Sequence, residues 1–193
     1  WLGLWIWFYL DDFAWLKLNL RLAESPSLWR LLFEPAAQGT IRPLSERLFF
    51  IGFYQWFGLD AFPYRLLVYA THGASLILLA LVARRLTGSR LAAFWAPVFW
   101  TVNVGTLASL SWTSTYNQIL CAYLLLLAFH FFLLYAESGR ARYYALQWAV
   151  FLLGFGVLEM NAVYPAIAFA YALVRAQKYL LHTLPLFAVS GAY

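Results

Sequence analysis

From Tyr64 to Ala83 the chain runs with one charge, Arg65, until it meets Arg84-Arg85. Twenty residues of helix reach about 30 Å, the thickness of a hydrocarbon core. A run of this kind constrains the fold more than any other feature, because it sets the solvent. The rest of the chain agrees: 64% of residues are hydrophobic and 11% are charged, whereas soluble domains carry about a quarter charged. A chain of 193 residues cannot hide that much apolar surface from water, so lipid is the expected environment. The size of 22.2 kDa suits one bundle, a single transmembrane domain over residues 1–193. The lone Cys121 excludes an intramolecular disulfide framework and a cysteine zinc site.

Further apolar segments follow in order. Leu91 to Leu110 and Gln118 to Tyr135 are expected to span. Tyr144 to Leu158 and Ala162 to Val174 flank Glu159. As one helix they would measure roughly 46 Å and place Glu159 mid-bilayer. Two short helices meeting near Glu159, Asn161 and Pro165 avoid that cost. Tyr179 to Tyr193 starts another helix, and residues 1–10 are expected to be the outer half of a first one. The expected class is therefore all-α, a polytopic transmembrane bundle built from residues 64–193.

Charge orients it. One side receives Arg84, Arg85, Arg90, Arg140, Arg142, Arg175 and Lys178 against Glu137. The other receives Asp11, Asp12, Glu24, Glu34, Glu46, Asp60 and Glu159, with six basic residues between Lys17 and Arg65. The short basic loops should be cytoplasmic and residues 11–63 an outer loop. This bias accounts for the net charge of +5 without nucleic acid, since no basic stripe lies on a soluble domain. Within the outer loop, residues 13–24 and 26–34 mix Lys or Arg with Trp and Leu and are too short to span. Both read as amphipathic helices lying in the interface, the second opening at Ser25-Pro26-Ser27. Leu44 to Phe57 is a third aromatic-rich stretch, after the breaker-rich residues 34–46.

Asp11-Asp12 closes the first apolar run. Paired carboxylates at a membrane boundary either solvate a helix end or mark a site. The histidines His72 and His130 differ in depth by about 6 Å along their helices, so they are not level for one shared metal. Packing is their expected role.

The order is an apolar helix, Asp11-Asp12, an outer segment with interfacial helices, and Arg42-Pro43-Leu44. Then come a Gly58-Leu59-Asp60 turn, His72-Gly73, Ser111-Trp112-Thr113-Ser114 and Leu158-Glu159-Met160-Asn161-Ala162. It resembles the N-terminal half of the GT-C superfamily of integral-membrane glycosyltransferases, and in particular the bacterial PMT-like, mannosyltransferase-like proteins. The resemblance covers nearly the whole chain and rests on the order and sidedness of short motifs. It implies transfer of a sugar from a polyprenyl-phosphate donor at the outer face of a bacterial inner membrane. Asp11 or Asp12 would deprotonate the acceptor or position a divalent metal on the phosphate. Arg42 would hold the phosphate, and Glu159, Trp112 and Asn117 would border the substrate. Many resembled proteins carry Lys before the position of Glu159, where this chain has Leu158. That departure keeps a second expectation open: a non-catalytic accessory subunit with a GT-C-like scaffold, packed against other membrane subunits.

Overall fold

A computed structural model describes residues 2–24, 27–35 and 41–193. Among them every regular element is helical. The long helices are α5 (Ala61–Thr87) and α8 (Tyr116–Ser138). At 27 and 23 residues they extend about 40 and 35 Å. Both are long and apolar enough to cross a membrane, α8 together with the 3-10 turn Thr113–Thr115 before it. Each ends at a glycine in the left-handed region, Gly88 (φ 70°) and Gly139 (φ 67°), where a side chain would be strained.

The segment expected to span at Leu91 to Leu110 is not one straight helix. It divides into α6 (Arg90–Thr101) and α7 (Val104–Ser111), bent by 61°. Asn103 makes the break, its side chain accepting from the Gly105 amide at 2.8 Å and so capping α7. Pro97 removes one backbone donor from α6. If the bent pair counts as one span, three spans are present by length and composition.

The expected helical hairpin around Glu159 is present as α9 (Ala141–Gly154) and α10 (Tyr164–Arg175), joined through a 3-10 turn at Glu159–Val163. Neither helix alone reaches across a hydrocarbon core, at about 21 and 18 Å. Phe132, Leu133, Phe151 and Tyr164 are essentially buried between α8, α9 and α10. Ala168 and Ala172, both fully buried, sit four residues apart on α10, where small side chains let helices approach closely. α11 (Leu180–Ala192) closes this group through the buried Leu186.

The first ten residues depart from expectation. A 3-10 turn at Leu2–Trp5 replaces the helix end, and residues 6–9 are not helical. Aromatic packing explains it: Trp5 stacks on Phe62 at 5.3 Å, and Phe8 meets the Tyr64 ring edge-on at 5.0 Å. The Trp7 indole also donates to the Leu59 carbonyl.

The stretch expected as one interfacial helix over 13–24 is two, α1 (Asp12–Leu16) and α2 (Leu18–Glu24). The next is α3 (Leu28–Phe33), capped by Ser27 rather than Ser25, which with Pro26 lies outside the described residues. Pro43–Leu48 forms a π-helical turn that runs into α4 (Phe49–Phe57). The wide turn buries Ser45, Glu46 and Arg47 in succession.

Candidate functional site

The Asp pair is split by the turn that carries it. Leu10 adopts φ 51°, a left-handed conformation costing a branched residue roughly 1–2 kcal/mol. The turn is held by Asp12. Its Oδ1 accepts from the Ser114 amide at 2.7 Å and the Ser114 hydroxyl at 2.5 Å, and its Oδ2 from the Tyr9 amide at 3.2 Å. Asp12 is fully buried, and the equally buried Arg65 of α5 lies within its electrostatic reach. Tyr9 stacks on Trp112 beside it. Asp12 is thus a clamp between the first segment and the start of α8. Asp11 is exposed and lines a cavity.

That cavity encloses about 470 Å³. The α1–α2 side contributes Asp11, Trp15, Lys17 and Arg21. The opposite side contributes Arg42 and Glu46 of the π-helical segment, with Trp112 and Asn117 from the start of α8. Four of the six expected site residues therefore meet: Asp11, Arg42, Trp112 and Asn117. Asp12 and Glu159 do not line it.

Arg42 is engaged. Its Nη1 donates to Glu46 at 2.7 Å, its Nη2 to Glu159 at 2.8 Å, and its Nε to both Glu159 oxygens at 3.0 and 3.2 Å. Burial alone would lower the Arg42 pKa, but the bonds from Glu159 and Glu46 outweigh it and raise it. Burial would likewise raise Glu159, yet Arg42 holds that carboxyl below its usual range. Arg42, expected to offer its charge to a phosphate, is paired with these two carboxylates in the structure. Asn117 completes the floor by donating to Glu46 at 3.0 Å.

Three more bonds fasten the π-helical segment. Leu44 donates its amide to the Gly156 carbonyl at 2.9 Å, and Ser45 its hydroxyl to Val157 at 2.8 Å. Arg47 donates to the Leu31 carbonyl at 2.8 Å, tying in α3. The hairpin tip under it is tight: a Cβ on Gly154 would stand 2.2 Å from the Asn161 oxygen. Glu159 is therefore a strut beneath the cavity.

Asp11, Arg42, Trp112 and Glu159 lie toward one end of the bundle. At the other end, Arg85 of α5 pairs with Glu137 of α8.

No three His, Cys, Asp or Glu side chains gather into a metal site among the described residues. The protein groups present do not fit the divalent ion that the resemblance admits, so no chemical step is assigned to one. Ser114 was missed because a serine in a polar turn carries no distinguishing pattern. Lys17 and Arg21 had a usable signal, their i,i+4 spacing on an amphipathic segment.

Compared with family models, curated proteins and solved structures, the chain matches none of them.

Proposed function

We propose that this chain is a GT-C-like membrane glycosyltransferase, a polytopic protein of a bacterial inner membrane. It would take a sugar from a polyprenyl-phosphate donor at the outer face. The observation that carries the reading is the cavity beside the ends of the two membrane-capable helices, where one accessible carboxylate, Asp11, faces cations. Such a place suits a lipid headgroup on one side and an aqueous acceptor on the other.

In the proposed step, Asp11 takes the proton of the acceptor hydroxyl while its oxygen bonds to the anomeric carbon. The carbon–oxygen bond to phosphate breaks, and its electron pair leaves with the lipid phosphate. The sugar is transferred with inversion. Asp12 is a positioning residue that fixes the turn presenting Asp11. Arg42, Glu46, Asn117 and Glu159 form the supporting floor.

Sugar transfer from polyprenyl-phosphate donors by the full-length protein tests this. Asp11→Asn should lower the rate by roughly 10²–10⁴-fold, the usual cost of losing a general base. Transfer that survives this substitution removes Asp11 from the chemistry.

A second reading rests on Arg42, whose charge is already met by two carboxylates. A scaffold with that cation closed off could serve as an accessory subunit. Wild-type protein that transfers no sugar but co-purifies in a membrane complex would favour it.

A further inference from the structure

The charges around the cavity do not balance evenly. Arg42 on the floor is held by two carboxylates, Glu46 at 2.7 Å and Glu159 at 2.8 Å. Three of the five Arg42 donors are spent on those carboxylates. An anion entering here finds that cation already engaged.

The opposite wall is different. Lys17 and Arg21 both line the cavity and are exposed. Neither side chain makes a hydrogen bond or ion pair among the described residues. Lys17 caps α1 with φ −62° and ψ −19°, and its carbonyl accepts from the Arg21 N–H of α2 at 3.4 Å, so the two side chains stand about one turn apart. Like charges at that spacing repel, and an anion between them turns the repulsion into attraction on both sides. The same wall begins at Asp11, six residues before Lys17, or about 9 Å along a helix. A base and a pair of cations thus line one wall of the same cavity.

We infer that Lys17 and Arg21 hold the phosphate of the polyprenyl lipid, a diester in the sugar donor and a monoester once the sugar has left, and that they, rather than Arg42, are the phosphate-reading residues of this cavity. The inference rests on the transferase reading, since it names that site's leaving-group subsite. Lys17 supplies a mobile ammonium and Arg21 a planar fork that fits two phosphate oxygens. As the sugar leaves, charge builds on those oxygens, and both cations strengthen their hold.

The test is equilibrium binding of radiolabelled polyprenyl phosphate to the full-length protein in phosphatidylcholine nanodiscs. Lys17→Ala/Arg21→Ala should weaken binding roughly tenfold or more, since each lost charge-assisted hydrogen bond is worth about a factor of ten. The charge-keeping Lys17→Arg should stay within about threefold of wild type, which shows the loss is electrostatic rather than structural. Unlabelled polyprenyl phosphate should compete, while phosphatidylglycerol at equal surface charge and inorganic phosphate should not. Undiminished binding by the double variant overturns the assignment. Equal competition by phosphatidylglycerol overturns the polyprenyl ligand in favour of any anionic lipid, and equal competition by inorganic phosphate overturns the lipid. Binding that follows this pattern without sugar transfer leaves the subsite standing and removes the transferase reading. Transfer at the wild-type rate by the double variant does the reverse.

Discussion

The two neighbouring aspartates should fail in opposite ways. Asp12→Ala leaves the Ser114 amide, the Ser114 hydroxyl and the Tyr9 amide without their acceptor. It also leaves the buried Arg65 without the carboxylate nearest in charge. Leaving three donors without their acceptor and a buried cation without its counter-charge costs about 3–5 kcal/mol, and the left-handed turn at Leu10 loses its restraint as well. At roughly 2–4 °C per kcal/mol for a chain of this size, the apparent Tm should fall by about 6–20 °C. Asp11→Ala removes an exposed side chain with no capping bond and should change stability by less than about 0.5 kcal/mol. Helix loss followed by circular dichroism in detergent measures both, with sugar transfer assayed on the same preparations. Asp11→Ala should be folded and inactive, and Asp12→Ala unstable. Equal Tm values would refute the clamp. A stable Asp12→Ala protein with a normal rate would refute the positioning role too.

The remaining predictions concern the floor and the core. Gly154→Ala drives a methyl into the Asn161 side chain, which donates to the Phe151 carbonyl at 2.7 Å; overpacking of this kind costs about 1–3 kcal/mol, readable as a lowered apparent Tm. Ala172→Leu on α10 should cost a similar amount, because Ala172 is fully buried, whereas Val174→Leu, on the exposed side, should be neutral in the same melt. Glu159 titrates below its ordinary range when folded, so its pairing with Arg42 stabilises above the usual glutamate pKa and is lost as pH falls through the depressed value. Protection of residues 42–48 from hydrogen exchange should hold at neutral pH and decline below about pH 4.5, and Glu159→Gln should flatten that dependence.

Periodicity and charge made much of the architecture legible. The apolar run around α5 has no alternative to a long helix, and Glu159 alone argued for a hairpin in place of one long span. The break between α6 and α7 was less visible, because Asn103 reads as one polar residue in an apolar stretch until its cap is seen. The division of labour between Asp11 and Asp12 was not legible at all. It depends on Ser114, 102 residues away, and sequence spacing carries no trace of such a contact. The pairing of Arg42 was hidden for the same reason: Glu46 is a helical neighbour, but Glu159 is 117 positions off.

Those separations also set a timetable for synthesis. Ribosomes add about 5–20 residues per second, so roughly 6–25 seconds pass between the making of Arg42 and of Glu159. Throughout that interval the segment carrying Arg42 has been translated while its strut has not. Asp12 waits almost as long for Ser114. The cavity is therefore a late product of biogenesis, closed only when the α9–α10 hairpin has been delivered. Until then Arg42 has Glu46 but not Glu159, and a stalled or shortened nascent chain ending before residue 159 would lack the strut beneath the cavity.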